Sequence, residues 1–239
     1  TWRHGRTVWI QDLEAFNKRD YSRPAADAKR GLLPPKLARV MVNLAGVKPG
    51  ARIYDPFCGS GTVLMEAALT GYASLGSDIS PHAVSDTKRN LAWLKDEFQA
   101  TKTATVKVAD ASAPLPFKDI DAIVTEGYLG HPVRQGTTFA EILSEEKIVT
   151  SLTGQFLDRA RKSLKSGGRL VITLPIWKLP YSGDRRLNVI DQASELGYTV
   201  IRPLPGGFKS AEVSDRNSIL VSRPKQRVIH ELFVFELSK

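Results

Sequence analysis

The sequence predicts an α/β fold with a doubly wound, mostly parallel seven-stranded sheet and a C-terminal antiparallel hairpin. Between residues 51 and 204, short apolar runs alternate with helical periods, an order typical of parallel sheets. A glycine-rich turn follows the first strand of this series, where such sheets place their ligand crevice. Two further apolar runs, 218–222 and 228–237, flank "RPKQR" and predict the hairpin, which we expect at one edge of the sheet.

Start and stop signals define the predicted helices. The first spans 33–46, because Pro35 suits a first turn, the apolar side chains share one face and Gly46 suits a stop. Ser80 and Pro81 predict the start of a helix that runs to residue 98. Glycines lie at or just after the ends of the other predicted helices, which span 61–71, 145–165 and 184–196.

The remaining apolar runs predict strands at 51–55, 73–78, 104–110, 120–125, 169–175 and 198–204. Residues 1–31 are polar and show little periodicity, so we expect only one short strand there, Thr7–Ile10. We therefore divide the chain into an N-terminal lead-in over 1–32 and one domain over 33–239.

The composition is that of a globular protein. Of the 239 residues, 42% are hydrophobic and 25% are charged. No apolar run is long enough to span a bilayer, and no secretory leader is visible. The single cysteine, Cys58, excludes an internal disulfide and favours a reducing, cytoplasmic setting. We expect no metal site, because the four histidines show no ligand spacing.

The formal net charge of +9 favours a polyanionic partner, most simply nucleic acid. The alternative is a basic protein without such a partner. Basic pairs are spread along the chain rather than gathered in a tail, which predicts a broad phosphate-binding face made of Lys18-Arg19, Lys29-Arg30, Lys88-Arg89, Arg161-Lys162 and Arg185-Arg186.

The strongest signal is "YDPFCGSGTVLMEAA" at 54–68, which is typical of a strand, a glycine-rich turn and a helix. Gly59 and Gly61 let a ligand approach the backbone, and the helix N-terminus favours an anionic group. A dinucleotide site needs a third glycine where Leu64 stands. Asp55 would repel a pyrophosphate, whereas it would attract the ammonium group of S-adenosylmethionine. The pattern therefore indicates this methyl donor.

Two more acids follow at the ends of the next strands. Asp78 suits both hydroxyls of a ribose. Asp110 can accept a hydrogen bond from an adenine amino group, while the N–H of Ala111 serves a ring nitrogen. Each acid alone could equally be a helix cap or a turn residue. Three acids at the ends of successive strands favour cofactor binding.

The chain resembles a known family in three places. "RPxxDAKRGxLPPKLAxxMVNLAG" (23–46), "DPFCGSGT" (55–62) and the closing "RPKQRVIHELFVFE" are similar to the tRNA guanine-N2 methyltransferases that usually carry an N-terminal THUMP RNA-binding domain. The resemblance runs from about residue 17 to the end. It implies a Rossmann-like class I methyltransferase fold, S-adenosylmethionine as cofactor, and N2-methylation of a guanosine in tRNA, typically near the start of the D-stem.

The resemblance also assigns site residues. The segment with Pro34, Lys36 and Leu37 matches the part that lies over the methionine end of the cofactor. The other candidate cofactor-binding residues are Asp55, Pro56, Gly59, Gly61, Thr62, Asp78, Ile79, Asp110 and Ala111. No THUMP domain accompanies this sequence, which begins at Thr1. We expect the lead-in to be what is left of a linker to such a domain, or a separate protein to bind the RNA.

The second departure is "TEGY" (125–128), where the family has D-P-P-Y. A guanine N2 amine is a poor nucleophile, so acceptors must hold its hydrogens while its lone pair attacks the methyl group. Tyr128 keeps the stacking aromatic, and Thr125 offers a neutral hydroxyl in place of the acid. We predict that Glu126 supplies the lost carboxylate acceptor, assisted by main-chain carbonyls. The alternative is that Glu126 is a solvated loop acid and the site is impaired.

Other residues have two interpretations each. Asp20 and Arg23 either line the mouth of the site or form an ion pair that fastens the fold, and His131 either contacts RNA or is a plain loop residue. We expect five residues beyond the strand at 169–175 to lie on the substrate rim, namely Trp177, Lys178, Tyr181, Arg185 and Arg186. Two other functions remain open: methylation of another exocyclic amine, such as adenine N6 or a ribosomal guanine, and nucleic-acid binding without catalysis.

Overall fold

The computed structural model describes residues 4–25, 33–102, 104–134, 136–179, 183–204, 213–223 and 226–238. The helices within these residues are α1 (Leu13–Tyr21), α2 (Pro35–Leu44), α3 (Thr62–Leu69), α4 (Pro81–Phe98), α5 (Phe139–Arg161) and α6 (Val189–Glu195). The strands are β1 (Arg52–Asp55), β2 (Ala73–Asp78), β3 (Ala104–Val108), β4 (Ile120–Thr125), β5 (Leu164–Trp177), β6 (Arg185–Arg186), β7 (Tyr198–Ile201), β8 (Ile219–Val221) and β9 (Val228–Leu237).

The strands form one mixed sheet, which confirms the predicted fold class. Its order is β3-β2-β1-β4-β5-β9-β7, with β6 beside β5 and β8 beside β9. The strands from β3 to β5 in this order are parallel, and β9 is antiparallel to β5, β7 and β8. The carboxyl ends of β1, β2, β3 and β4 therefore lie along one side of the sheet.

The closing hairpin lies elsewhere than predicted. Strands β8 and β9 pair as expected, but β9 lies inside the sheet between β5 and β7 rather than at an edge. The run from Leu232 to Phe235 is fully buried, and a continuous apolar run is typical of a strand covered on both faces. With β6 and β8, the described sheet has nine strands instead of seven.

The N-terminal lead-in also differs from the prediction. Residues 7–10 form no strand, and Val8 and Trp9 are exposed. The segment that follows forms α1, which begins where Asp12 accepts a hydrogen bond from the Ala15 N–H at 2.9 Å. The predicted division between residues 32 and 33 stays a prediction, because 26–32 lie outside the described residues.

Both faces of the sheet are covered by helices. Ile123 and Ile172 pack in a cluster with side chains of α5 and α6, whereas Ala122, Val124 and Val171 pack in a cluster with side chains of α2 and α3. Successive residues of a strand point to opposite faces, so a nearly continuous apolar strand contributes to both clusters. In the described part of the chain, no helix is both long and apolar enough for a membrane span.

Several element boundaries differ by a few residues from those predicted. Helix α5 begins at residue 139, because Thr138 and Glu141 form a capping box, and it ends before β5, which begins at residue 164. Strand β5 extends beyond the predicted 169–175 at both ends, because Leu164 pairs with Ile120 of β4 and because Ile176 and Trp177 pair with β9. Helix α6 is limited to 189–195, and residues 185–186 form β6 instead.

Candidate active site

The predicted site residues lie in spatial order along the carboxyl edge of the sheet. Strands β2, β1 and β4 are neighbours and end at Asp78, Asp55 and Thr125. Asp110 follows β3, which pairs with β2. Because carboxyl ends of parallel strands meet at one edge, these four residues border a common crevice, the usual ligand site of such sheets.

The glycine-rich turn between β1 and α3 is tight. The Gly61 N–H donates to the Cys58 carbonyl at 2.7 Å, and Gly61 has a φ of 87°. A Cβ atom there would lie 2.8 Å from Thr87 Cγ2. The Thr87 hydroxyl in turn donates to the Gly59 carbonyl at 2.7 Å. Only glycine fits at position 61, because both the backbone conformation and the space exclude a side chain.

Asp78 fastens this turn to the start of α4. Its Oδ2 accepts a hydrogen bond from the Gly59 N–H at 3.0 Å, and its Oδ1 accepts one from the Ser80 N–H at 2.9 Å. Each carboxylate oxygen has a second lone pair for a ligand hydroxyl. The neighbouring Ile79 side chain is 67% exposed, so an apolar surface lies beside the acid.

Asp110 is an exposed, ionised acceptor. Its Oδ1 accepts hydrogen bonds from the N–H and the hydroxyl of Ser112, both at 2.8 Å, and these bonds hold the pKa of Asp110 below its ordinary value. Ala111 beside it is buried. The three acids offer hydrogen-bond acceptors, the glycines allow close approach to the backbone, and Ile79 offers an apolar surface. A nucleoside with a charged amino-acid tail requires this combination.

Asp55 is buried and holds Thr125. Its Oδ1 accepts hydrogen bonds from the Thr125 hydroxyl at 2.7 Å and from the Phe57 N–H at 3.1 Å. Burial raises the pKa of Asp55 to about 7 despite these bonds. Thr125 is fully buried, and its hydroxyl donates to Asp55 while it accepts a hydrogen bond from the Gly127 N–H at 3.3 Å, so Thr125 positions Asp55. That its hydroxyl oxygen also serves as an acceptor for the substrate stays a prediction.

Glu126 lies beyond the end of β4, with its side chain 24% exposed. Its Oε1 lies 3.5 Å from Nδ1 of His230, on β9, and its carbonyl accepts a hydrogen bond from the Thr173 hydroxyl at 3.0 Å. Burial, with the nearby Asp55 charge, raises the pKa of Glu126 to about 8. Glu126 is therefore not a solvated loop acid.

His230 is a candidate residue that the sequence did not indicate. Burial and the charge of Arg223 lower the pKa of His230 below its ordinary value, so its imidazole is neutral at pH 7. It stands in "VIHELFVFEL", where the polar pair His230-Glu231 between Ile229 and Leu232 is the local signal. Its closeness to Glu126 depends on β9 lying inside the sheet, which the sequence pattern did not predict.

The loop after Glu126 is fastened to α5. Gly127 has a φ of 59°, and its N–H donates to the Thr125 hydroxyl oxygen at 3.3 Å. The half-buried Tyr128 places its hydroxyl 3.4 Å from His131 Nδ1. That nitrogen lies 2.7 Å from Glu145 Oε1, and the His131 N–H donates to Glu145 Oε2 at 3.1 Å. Glu145 thus holds the loop that carries the aromatic.

The segment predicted to lie over the methionine end begins α2. Pro34 is the N-cap residue of α2, Lys36 is exposed with its Nζ 5.9 Å from the Phe16 ring centre, and Leu37 packs against the α2–α3 cluster. Arg23, predicted at the mouth of the site or in an ion pair with Asp20, is buried and donates from Nη1 to the Thr62 hydroxyl at 2.6 Å. Burial lowers the pKa of Arg23, and the charge of Asp20 opposes that shift.

Most of the predicted phosphate-binding face is neutralised by acids. The acidic partners are Glu97 for Lys18, Glu66 for Arg19, Asp158 for Arg161 and Lys162, Glu146 for Arg185 and Asp215 for Arg186. Trp177 is 1% exposed, so it belongs to the core rather than the rim. Lys29, Arg30 and Tyr181 lie outside the described residues. The site for a polyanion is therefore narrower than the sequence predicts.

The chain is similar to known methyltransferases. The UPF0020 family, "RMKL-like, methyltransferase domain", matches residues 22–179. A tRNA (guanine(10)-N2)-dimethyltransferase of Methanothermobacter thermautotrophicus is 37% identical over 171 residues, which are 71% of this chain and 46% of that protein. The human U6 snRNA (guanine-N(2))-methyltransferase THUMPD2 is 32% identical over 122 residues, which are 49% of this chain and 23% of that protein.

The crystal structure of TrmN from Thermus thermophilus aligns with a TM-score of 0.58 at 22% identity, covering 88% of this chain and 51% of that one. At this identity the match speaks for the fold alone. The chain spans about half the length of the curated relatives it matches, with 46%, 43% and 54% for three archaeal tRNA (guanine(10)-N2)-dimethyltransferases.

Proposed function

The chain belongs to the UPF0020 methyltransferase family, and we propose that it transfers a methyl group from S-adenosylmethionine to the N2 amine of a tRNA guanosine. The observation that carries the proposal is the ordered row of Asp110, Asp78 and Asp55 beside a glycine-rich turn, with Glu126 and Tyr128 next to it. The relatives named above, which act on guanine N2 of tRNA or snRNA, support the choice of amine.

The donor side is the part of the crevice that would bind the methyl donor. There, each acid is assigned to one polar part of the cofactor. Asp78 accepts the ribose hydroxyls, Asp110 accepts the adenine amino group, and Asp55 faces the ammonium group. S-adenosylmethionine supplies a methyl group carried on a sulfonium sulfur. A cation beside Asp55 lowers the pKa of that carboxyl, so binding favours the ionised form that attracts it.

The acceptor side is the part of the crevice that would bind the guanine base. There, Glu126 and Tyr128 orient the amine, and Glu126 removes its proton. Tyr128 stacks on the base, and the Glu126 carboxylate accepts a hydrogen bond from the amine. As the amine nitrogen would bond to the methyl carbon, the carbon–sulfur bond would break and leave a neutral thioether. Positive charge would then grow on the nitrogen, and Glu126 would take its proton. His230, 3.5 Å from Glu126, is neutral and can share that proton. The main-chain carbonyl of Glu126 keeps one lone pair beyond its bond from Thr173.

Since the curated relatives are about twice as long, we propose that an additional THUMP-like RNA-binding domain, in the same protein or in a partner, presents the tRNA. The single cysteine and the tRNA substrate suit a cytoplasmic enzyme.

The direct test uses S-adenosylmethionine with a deuterated methyl group and three substrates: bulk tRNA, ribosomal RNA and DNA. Nucleosides are then identified by mass spectrometry. The proposal predicts labelled N2-methylguanosine from tRNA, whereas labelled N6-methyladenosine or product from ribosomal RNA alone would identify another amine as the target. Calorimetric titration with S-adenosylhomocysteine separates the remaining alternative, because a non-catalytic nucleic-acid-binding module need not bind it.

A further inference from the structure

Arg23 has unused hydrogen-bond donors in a buried position. Its side chain is 3% exposed, and only Nη1 has a partner, the Thr62 hydroxyl at 2.6 Å. Within the described residues, Nε and Nη2 have no acceptor although both atoms are buried. Buried guanidinium groups ordinarily use their donors on acids or carbonyls, because an unpaired buried charge is costly. The two free donors therefore point to a ligand.

The chain holds this guanidinium beside the glycine-rich turn. The Ala25 N–H donates to Asn90 Oδ1 at 2.9 Å, and Asn90 Nδ2 donates to the Ala25 carbonyl at 3.1 Å. The same Nδ2 donates to the Ser60 carbonyl at 2.8 Å. Asn90 thus fastens residues 23–25 to the turn that precedes α3. Among the described acids, Glu66 is occupied by Arg19 and Arg39, and Asp20 acts on Arg23 through its charge without accepting a hydrogen bond from Nε or Nη2.

The first turn of α3, next to Arg23, also lacks a side-chain cap. Gly61 is the N-cap residue of this eight-residue helix and provides no side-chain cap. The first N–H groups of a helix without a cap bind anions, because they lack partners and carry the positive end of the helix dipole. A buried guanidinium with free donors beside such a terminus makes a site for a small planar anion such as a carboxylate.

We propose that Arg23, together with the N-terminus of α3, binds the carboxylate of the methionine moiety of the methyl donor. This inference rests on the proposed function. Asp55 begins the turn and Thr62 ends it, so the ammonium and carboxylate groups of one amino acid would lie between an acid and an arginine. An RNA phosphate is a poorer occupant, because a phosphate within a bulky, hydrated RNA chain cannot reach a buried turn.

The test compares two ligands that differ by the amino-acid tail. S-adenosylhomocysteine has the carboxylate, and 5′-methylthioadenosine lacks it. Both are titrated calorimetrically into the wild-type chain, Arg23→Gln, and the control Arg52→Gln, whose guanidinium donates to the Lys118 carbonyl far from the turn. For Arg23→Gln we expect about 10- to 100-fold weaker binding of S-adenosylhomocysteine, the range for lost charged hydrogen bonds. Affinity for 5′-methylthioadenosine should change less than about twofold, and Arg52→Gln should leave both affinities unchanged.

Each other outcome has a definite meaning. Equal weakening of both ligands in Arg23→Gln would show a purely structural role and overturn the inference, as would unchanged binding of both. Partial recovery in Arg23→Lys, for the carboxylate ligand alone, would support it, because lysine restores the charge but not the planar fork. If the wild-type chain binds neither ligand, the proposed function itself fails and this inference falls with it.

Discussion

The two halves of the crevice are built differently. On the donor side, the Asp78 carboxylate accepts hydrogen bonds from the Gly59 and Ser80 N–H groups, and the Gly61 N–H donates to the Cys58 carbonyl, so nearby backbone groups fix the turn. On the acceptor side, the loop 126–131 is held by the side chains of Thr173, Glu145 and His230, which come from distant parts of the chain. A half that depends on backbone geometry tolerates few changes in sequence. A half that depends only on the position of one oxygen atom can obtain that atom from another residue, which is the role we propose for Glu126.

The largest effect is expected from breaking the donor half at Asp78. Asp78→Ala removes two hydrogen bonds to backbone N–H groups and the acceptors for ribose. We expect S-adenosylhomocysteine to bind about 100-fold more weakly, because each charged hydrogen bond contributes about 1.5–3 kcal/mol. Titration calorimetry measures this loss. Asp96→Ala, an exposed acid near the other end of α4, is the matched control, and equal losses in both variants would contradict the account.

Substitutions of Tyr128 distinguish the two halves experimentally, because its ring should contact only the RNA base on the acceptor side. Tyr128→Ala should weaken tRNA binding about tenfold, since base–aromatic stacking contributes about 1–3 kcal/mol. Tyr128→Phe keeps the ring and should bind tRNA nearly as well as the wild type. Filter binding at fixed salt measures both. A loss of affinity for S-adenosylhomocysteine instead of tRNA in Tyr128→Ala would contradict this assignment of Tyr128.

Thr125 links the halves through its hydrogen bond to Asp55. Thr125→Val leaves that buried carboxyl without its hydroxyl partner, so the free energy of unfolding should fall by about 1–3 kcal/mol. Thr125→Ser keeps the hydroxyl and should lose less. Urea denaturation of the two variants gives the comparison. Equal stability of Thr125→Val and the wild type would show that the Thr125 hydroxyl does not stabilise the buried Asp55 carboxyl.

The smallest effect is expected at Arg185, which the sequence placed on the RNA-binding rim. Its guanidinium forms a partly exposed ion pair with Glu146. Arg185→Ala should lower the free energy of unfolding by less than about 1 kcal/mol and should leave the salt dependence of tRNA binding unchanged. A decrease of about one in the slope of log K against log salt would instead identify a phosphate contact.

The same contrast explains what the sequence could predict. Asp55, Asp78 and Asp110 stand at strand ends next to local turn signals, so counting along the chain placed them correctly at one edge of the sheet. The partners of Glu126 lie on β5 and β9, and no local pattern pairs residue 126 with residue 230. The missed helix α1 has a similar cause, because its buried Arg19 pairs with Glu66, 47 residues away. Tertiary pairing, not local propensity, decided these cases.

The central claim is that Glu126 replaces the missing acid on the acceptor side. The pH dependence of single-turnover methyl transfer to tRNA tests it most directly, with wild type and Glu126→Gln. Only the ionised carboxyl accepts the amine hydrogen and its proton. Because the pKa of Glu126 is raised to about 8, the wild-type rate should rise with pH, reach half of its plateau near that value, or below it once a cation is bound, and level off above it. Glu126→Gln should be about 100-fold slower and lack this rise, with unchanged binding of S-adenosylhomocysteine. A Glu126→Gln profile equal to that of the wild type would contradict the claim.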